Sequence, residues 1–480
     1  MNASFDESRA PRLPSPEGAT PPSRLLAELV NSVVGSQPLN KQPLLIADIL
    51  EEELLRLGWP VGLRIGGEPE LAQRYGVGRD VLREVVRLLE ARGHVRMRRG
   101  PGGGMEIVQP NLDDLIGRFF GYAYVSGTSP DCVMATWLDL QAAAARLMGR
   151  GPDRDWAALG EAFANHAIAA PKELGTAIIA ASGNPVLVII GELIGALLPP
   201  ACVHPVPNDA DALLRTVDGA PALLDWLRSS AETMLQSFDT DDSTDFRIDP
   251  PPAPQSACFR GQAMQLVHDL MTATSPEQWR RGTLIGNEFD LADRFGVDKS
   301  VVRQAIRLME DAETATSLPG RGRGLVTRLP STAPLSRLLC AFFVAHQVTA
   351  KDGEDAFLAL RIECAGSAAQ RATQEDKATL LAMLHDLKPL KAPLPVSALQ
   401  CFERLQQHVA HNNLLSLSID AVKAFLTWRM ATWPVVTADI LETYKEHTTQ
   451  VVAAICTGDT ASACEAEVAK LVALSTARAV

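Results

Sequence analysis

The sequence has few aromatic residues, widely spaced cysteines and no long apolar run, and the last two features exclude classes of protein. Aromatic residues make up 5% of its 480 positions. The eight cysteines lie far apart with no CxxC pair, which argues against a disulfide framework and against a cysteine-rich zinc site. The longest apolar run, PVLVIIGELIGALLPP at 185–200, contains Glu192 and is too short to span a bilayer. Because the first residues also have no apolar core of signal-peptide length, we expect a cytoplasmic protein.

The remaining composition is that of a folded, multidomain chain. Hydrophobic residues account for 46% of the sequence and charged residues for 21%, so most of the chain can bury a core. At roughly 150 residues per domain, the length predicts three or four compact units. The net charge of −12 disfavours a non-specific polyanion binder, although it allows a local basic surface because net charge averages over domains.

The chain repeats itself in a constant register. The segment EPELAQRYGVGRDVLREVVRLLE at 68–90 matches EFDLADRFGVDKSVVRQAIRLME at 288–310 without a gap, so position 68 corresponds to position 288. In the same register, WLDL at 137–140 pairs with FLAL at 357–360. These matches predict that a unit of two parts occurs twice. Positions related in this register are called equivalent below.

Hydrophobic spacing in the first short part predicts three helices and a hairpin. The predicted elements are a helix over 44–57, a helix from 68 that ends at Gly76, a helix that begins after Val77, and strands over 94–99 and 105–108. Arg79, Arg83 and Arg87 fall on the outward face of the third helix. Two helices joined by a tight turn, followed by a Gly-rich hairpin, describe a winged helix-turn-helix.

The residue types at the start of this third helix suit DNA. A helix in the major groove needs short or planar polar side chains near its first residue, and Arg or Lys for phosphates. An arginine row alone is more often an ordinary solvated helix face, but the whole motif occurs twice. The DNA-binding candidates are Arg79, Asp80, Arg83, Arg99 and Gly100 in the first copy, and Lys299, Ser300, Arg303, Arg321 and Gly322 in the second. We expect Asp298 to cap its helix, since Asp is a favoured N-cap residue.

The motif resembles a known family. The stretch VGLRIGGEPELA at 61–72, followed by YGVGRDVLREV at 75–85, is similar to the GntR-type winged-helix regulators. The helical segments resemble the all-α effector domain of the FadR branch, called the FCD domain. The resemblance implies a ligand-responsive, DNA-binding transcription regulator, a repressor, whose partner is a double-stranded DNA operator. The chain departs from the family pattern at Gly78 and Asp298, where a small hydroxyl residue is usual, and at Pro69 and Phe289, where Arg is common.

The fold class that follows is mainly α, with two winged helix-turn-helix domains that each precede an all-α helical-bundle effector domain. The predicted units are a flexible tail at 1–39, a winged helix at 40–109, an effector domain at 110–237, a Pro/Asp-rich linker at 238–257, a winged helix at 258–330 and an effector domain at 331–480. This duplication predicts a pseudo-dimer within one chain, with two different half-sites, and leaves further homodimerisation open.

The effector segments depart from the family at its metal ligands. Many relatives bind a divalent metal through an Asp and a His four residues apart and two later His. The first two positions hold Pro171 and Gly175 in the first copy and Leu399 and Glu403 in the second, and the later two hold His447 and Lys470. One imidazole and one carboxylate do not complete a site, so we predict no metal and no cofactor. Metal-free relatives imply a pocket for a small organic-acid-type effector. The candidate residues of this pocket are Asn184, Arg361, Asn412 and His447. Helix capping, or hydrogen bonding within the core, is the alternative role for these residues.

The alternatives to a DNA-binding protein are an enzyme and a ligand-sensing or protein-interaction protein. The chain shows no nucleophile–base set, phosphate-binding loop or paired-carboxylate signature, so we do not expect an enzyme. A ligand-sensing or protein-interaction protein whose winged helices have lost DNA binding is the main alternative. The acidic net charge, Pro69, Phe289 and Asp298 favour that alternative, whereas Arg83, Arg303 and the basic hairpins oppose it.

Overall fold

The structure is a computed structural model of the chain. It describes residues 41–98, 100, 103–148, 171–198, 248, 261–318, 320, 323–429 and 435–479. The predicted tail at 1–39 lies outside these residues, as do the linker at 238–257 apart from Ile248 and much of the first predicted effector domain. The described part is mainly helical, as the sequence predicted.

The first elements follow the predicted order and positions. They are α1 (Gln42–Arg56), α2 (Glu68–Arg74), α3 (Arg79–Ala91), β1 (Val95–Arg98) and β2 (Gly104–Ile107). Leu50, Leu82 and Val85 are fully buried, so the apolar faces of α1 and α3 pack against each other. Gly76, with φ of +61°, takes the left-handed conformation of the turn between α2 and α3.

Four described helices follow before the chain reaches the second copy of the repeat. They are α4 (Leu112–Ser126), α5 (Pro130–Met148), α6 (Pro171–Ala181) and α7 (Pro185–Leu197). Gly175 lets α6 approach α5 closely, because a Cβ there would lie 2.5 Å from the Trp137 ring. The side chain of Asn184 caps α7 by accepting from the backbone N–H groups of Val186 and Leu187.

Residues 262–327 show the same order of elements, with one helix and one strand added. They are α8 (Gln262–Thr272), α9 (Pro276–Arg281), β3 (Leu284–Gly286), α10 (Glu288–Phe295), α11 (Lys299–Asp311), β4 (Ala315–Ser317) and β5 (Leu325–Thr327). The three strands form an antiparallel sheet in the order β3-β5-β4. Gly296, which is equivalent to Gly76, has φ of +62° in the turn between α10 and α11.

The rest of the described chain is a helical bundle. It consists of α12 (Ala333–Ala345), α13 (Ala350–Arg371), α14 (Gln374–Leu387), β6 (Leu394–Pro395), a 3₁₀ turn (Val396–Leu399), α15 (Gln400–Val409), α16 (Asn413–Arg429), β7 (Val435–Val436), α17 (Ala438–Thr457) and α18 (Thr460–Ala479). Capping boxes begin α13 at Thr349 and α14 at Thr373. In the described part of the chain, no helix is long and apolar enough to cross a membrane.

The two halves of the chain pack against each other along their length. Helix α5 contacts α13, α3 contacts α11, and α4 contacts α9 and α12. Asn184 donates to the carbonyl of Asp352, and Asn412 accepts from the hydroxyl of Thr136, so each asparagine also joins the halves. The packing between the halves therefore places α3 directly against α11.

Candidate nucleic-acid interface

The first residues of α3 present the predicted basic surface. Arg79, Arg83 and Arg87 are all exposed, whereas Leu82 and Val85 on the opposite face are fully buried. Arg83 is drawn toward α2, because its Nε lies 3.4 Å from a carboxylate oxygen of Glu68. A second carboxylate, that of Asp80, lies 3.6 Å from Arg83 Nη1. The amphipathic spacing thus buries the apolar face and leaves the arginines outside, as predicted.

Helix α11 has a similar first turn with different side chains. Arg303 Nε lies 3.0 Å from a carboxylate oxygen of Glu288, and these two residues are equivalent to Arg83 and Glu68. The Lys299 ammonium lies 3.9 Å from the centre of the exposed Phe289 ring. Cation–π contact therefore holds Lys299 beside α10.

Asp298 caps α11, as predicted. Its carboxylate accepts from the backbone N–H of Ser300 at 2.7 Å. Hydrogen bonds from Ser300 lower the pKa of this carboxyl group, and Arg303 and Lys299 add to the effect. The N-cap position of α3 is Gly78, which supplies no side-chain cap. The two helix starts therefore differ in charge, with Asp298 at one and a neutral Gly78 at the other.

Helices α3 and α11 hold the second position of the predicted helix-turn-helix in each copy and are called the recognition helices below. The hairpin after each of them lies against the strand or loop that precedes α2 or α10. Strands β1 and β2 pair in register, and Arg98 makes an ion pair with Glu106 across them. Gly100 is exposed with φ of +101°, a conformation that favours glycine. The predicted wing residues Arg99, Arg321 and Gly322 lie outside the described residues.

The two recognition helices contact each other through their later turns. Arg307 of α11 makes an ion pair with Glu84 of α3 at 3.3 Å. Since the rise is about 1.5 Å per residue, Arg79 lies about 8 Å along α3 from Glu84, and Lys299 about 12 Å along α11 from Arg307. The two helix starts are consequently less than one turn of B-DNA apart, which is about 34 Å.

A buried ion cluster fixes this contact, and sequence reasoning missed it. Arg92, directly after α3, donates to both carboxylate oxygens of Asp311 at 3.2 and 2.6 Å. It also donates to Glu51 at 2.5 Å and to Asp48 at 2.8 Å, and Arg337 binds Asp48 at 2.7 Å. We call these five residues the junction cluster. Burial alone would raise the pKa of the Asp311 carboxyl group, but Arg92 outweighs it and holds that pKa below its ordinary value.

The junction cluster has no counterpart on the other side of the repeat. The positions equivalent to Arg92 and Asp311 hold Ala312 and Ala91, and Gly117 is equivalent to Arg337. A charged residue equivalent to an alanine at a buried repeat position is the sequence signal that could have revealed the cluster. It marks the contact between the halves as unsymmetrical.

The four candidate effector residues are not brought together among the described residues. Asn184 and Asn412 satisfy helix starts and bridge the halves. Arg361 is fully buried, where it donates to Gln406 at 2.8 Å and pairs with Glu467 at 3.1 Å. His447 is half-buried on α17 and contacts Gln450. Capping and core satisfaction, the alternative roles stated for these residues, account for three of the four.

Two of the positions compared above with the family's metal ligands, Glu403 and Lys470, lie in an ion network. Lys470 lies 3.2 Å from Glu403 and 2.9 Å from Glu467, and Arg361 also pairs with Glu403. Burial opposes ionisation of Glu403, yet Arg361 and Lys470 hold its pKa well below the ordinary range. No group of three or more His, Cys, Asp or Glu side chains suited to a metal occurs among the residues that the structure describes. An ammonium group among these carboxylates does not fit a metal centre.

Comparison with known proteins identifies the first of these domains. A helix-turn-helix followed by a hairpin defines a class of DNA-binding domain. Residues 44–104 match the family described as bacterial regulatory proteins, gntR family. Residues 44–104 therefore form a GntR-family helix-turn-helix domain, which implies a DNA-binding transcription regulator.

Other comparisons add little. A solved structure, GntR of Streptococcus agalactiae, is 16% identical, covers 45% of this chain and 99% of its own, and has a TM-score of 0.33. A likeness of this size carries no argument about fold or function. No curated protein matches the chain.

Proposed function

We propose that this protein is a sequence-specific transcription regulator, a ligand-responsive repressor that reads DNA with two non-identical winged helices in one chain. The observation that carries the proposal is the matching construction of the starts of α3 and α11. Each start exposes cations, and each has an arginine held by the first glutamate of the preceding helix, in the pairs Arg83–Glu68 and Arg303–Glu288. An arginine with a fixed position at the start of such a helix suits contact with a DNA phosphate.

The proposal includes a tandem duplication of the whole regulator in the FCD branch. Its domains are a tail at 1–39, winged helices at 40–109 and 258–330, effector domains at 110–237 and 331–480, and a linker at 238–257. The sequence repeat and the shared order of elements support this division. The chain then forms a pseudo-dimer, with double-stranded operator DNA as its partner.

The contact between α3 and α11 bears on the operator. Because Arg307 and Glu84 bring the helices together, the half-sites should lie less than one helical turn apart. The helix starts carry Arg79 and Asp80 in one copy and Lys299 and Ser300 in the other. We therefore expect a short, unsymmetrical operator. A symmetric palindrome as the best sequence selected in vitro would contradict two different readers.

The direct test is binding to the DNA upstream of the protein's own gene, measured by fluorescence anisotropy over a range of salt concentrations. Each phosphate neutralised adds about 0.9 to the slope of log K against log salt. The double variant Arg79→Glu/Arg83→Glu should bind at least tenfold more weakly, with a slope smaller by up to about 2. The variant Lys299→Glu/Arg303→Glu tests the second reader in the same way.

The control carries the same change in net charge at a distance from the recognition helices. Lys351 on α13 and Lys388 after α14 are both exposed, so Lys351→Glu/Lys388→Glu should bind operator as the wild type does. Equal loss in both double variants would mean that total charge, and not a DNA-reading surface, governs binding. Wild-type affinity no higher than for random DNA would contradict the proposal.

A second candidate function is a protein contact made by a winged helix that does not bind DNA, and a specific observation at α10 supports it. Phe289 is 63% exposed where relatives commonly have Arg, and Lys299 stacks on it instead of standing free. An exposed aromatic ring suits a protein contact better than a phosphate contact. If only the second winged helix had this role, reversing Lys299 and Arg303 would leave operator affinity unchanged while reversing Arg79 and Arg83 would abolish it.

A further inference from the structure

A cavity of about 610 Å³ lies beside the junction cluster, and none of the four candidate effector residues lines it. Its walls come from both halves of the chain, with residues of α4, α8, α11 and α12. We call it the junction cavity. Its volume lies within the range of about 300–1,000 Å³ typical of small-molecule sites.

Equivalent positions of the repeat meet at this cavity with different side chains. Arg92 and Arg337 line it and belong to the junction cluster, whereas the equivalent Ala312 and Gly117 line it without charge and with little bulk. A Cβ added to Gly117 would meet no atom within 4 Å. The wall at Gly117 therefore has room for a larger side chain.

The walls are mainly apolar and adaptable. Met264, Met271 and Met309 line the cavity from two helices of the second half, and Tyr122 adds an aromatic ring from α4. Methionine side chains are flexible and polarizable, so they adjust to ligands of different shape. An aromatic wall also attracts cations. These walls suit an organic ligand with an apolar body.

The charges around the cavity select the sign of the ligand. Arg92, Arg118 and Arg337 line it, but so do the carboxylates Glu51, Asp113, Asp114 and Asp311, and Asp48 binds two of the arginines. The lining thus holds four carboxylates against three guanidinium groups and the imidazole of His268, and Asp48 adds a fifth carboxylate behind Arg92 and Arg337. One oxygen of Glu51, whose side chain is only 3% exposed, is buried without a hydrogen-bond partner. A buried carboxylate oxygen of this kind calls for a donor or a cation.

We propose that the junction cavity binds an amphipathic organic cation, with its apolar body between the methionines and its charge toward the carboxylates. This differs from the organic-acid-type effector that the family resemblance implied. The cavity touches Arg92 and Asp311, which follow and end the two recognition helices, so an occupant would alter how α3 and α11 sit together. The consequence for operator affinity rests on the proposed function, whereas the site itself does not.

The test uses three probes of one chain length in the absence of DNA. Decyltrimethylammonium, decanol and decanoate are titrated calorimetrically into the full-length protein below their micellar concentrations. The cation should bind at least tenfold more tightly than either decanol or decanoate. Tightest binding by decanoate, equal binding of all three, or no binding would each overturn the proposal.

Gly117 offers a matched pair of variants that locate the site. Gly117→Phe should weaken decyltrimethylammonium binding at least tenfold by filling the cavity, whereas Gly117→Ala should stay within about threefold of wild type. Both place carbon into open space, and the melting temperature of each checks that the fold survives. Unchanged affinity in Gly117→Phe would place the ligand elsewhere and overturn the proposal. Asp113→Asn/Asp114→Asn should reduce the preference for the cation over decanol severalfold.

The DNA arm separates this proposal from the proposed function. Saturating decyltrimethylammonium should change operator affinity in the wild type but not in Gly117→Phe. A protein that binds the cation through Gly117-dependent contacts yet does not bind DNA would retain the site and lose the proposed function. A protein that binds operator but not the cation would retain the proposed function and lose the cavity as a cation site.

Discussion

Replacing Arg92 by alanine should strongly destabilise the contact between the two halves of the chain. The Arg92 side chain is 2% exposed and makes four hydrogen bonds to the carboxylates of Asp48, Glu51 and Asp311. Arg92→Ala leaves two almost fully buried carboxylates, those of Glu51 and Asp311, without this cation. Arg337 remains to bind Asp48.

The magnitude follows from the cost of an unpaired buried charge. Removing one partner of a buried ion pair typically costs about 3–5 kcal/mol, and we expect Arg92→Ala to fall in that range. Asp311→Ala should cost less, about 1–3 kcal/mol, because Arg92 keeps Glu51 and Asp48. Arg281→Ala removes an ion pair with Glu277 in which both side chains are exposed, and it serves as the control, with a cost of at most about 1 kcal/mol.

The assay is urea denaturation of each variant and of the double variant Arg92→Ala/Asp311→Ala, followed by tryptophan fluorescence. Trp59 packs edge-on against His94, and Trp279 is fully buried within α9, so each half carries a probe. The double-mutant cycle should give a coupling free energy above about 1 kcal/mol between Arg92 and Asp311. Since the folded-state pKa of Asp311 is lowered, its stabilising contribution is present above about pH 4 and is lost as the pH falls below about 4.

Two results would refute this reasoning. A cost for Arg92→Ala no larger than that of the exposed control would mean that the junction cluster does not hold the halves together. A coupling free energy near zero would mean that Arg92 and Asp311 stabilise the protein independently. In either case, interactions other than the junction cluster would have to stabilise the contact between the two halves.

Three further variants have expected outcomes. Gly104→Ala should lower stability by about 1–3 kcal/mol in thermal denaturation, since its Cβ would lie 2.8 Å from the Gly66 carbonyl oxygen, and an unchanged melting temperature would contradict the close approach. Burial, then Glu363, raises the pKa of Asp139 to about 8, so wild-type stability should fall between about pH 4 and 8, by at most about 1.4 kcal/mol per pH unit. Asp139→Asn should flatten that decline, and an identical pH profile would argue against the raised pKa. Asp298→Asn keeps the cap but removes the charge, so operator affinity should rise about fivefold at low salt; weaker binding would indicate that the carboxylate reads a base.

Much of the fold was predictable because its signals are local. The spacing of apolar residues, and Gly76 at the turn, predicted α1 to α3 and the hairpin within a few residues. The same spacing placed Arg79, Arg83 and Arg87 outside. The cap at Asp298 was also predicted, since an N-cap depends on residues only two or three positions away.

The polar interactions inside the chain were not predictable in this way. Arg361 was a candidate ligand contact, but Gln406 and Glu467, 45 and 106 residues further along, satisfy it. Lys470 was understood as a missing metal ligand, and the structure adds that it neutralises Glu403 and Glu467. Such pairings depend on which helices pack together, which hydrophobic periodicity does not specify.

The order of helices and strands, the exposed first turns of α3 and α11 and the internal repeat were predictable from the sequence alone, because each depends on residues close in the chain or on direct comparison of two segments. The contact of α3 with α11, the meeting of Arg92 and Asp311 across 219 residues and the cavity beside them arise only from the packing of the two halves. The physical reason is that a buried charge is stable only beside its partner, and the partner is brought there by packing between the halves.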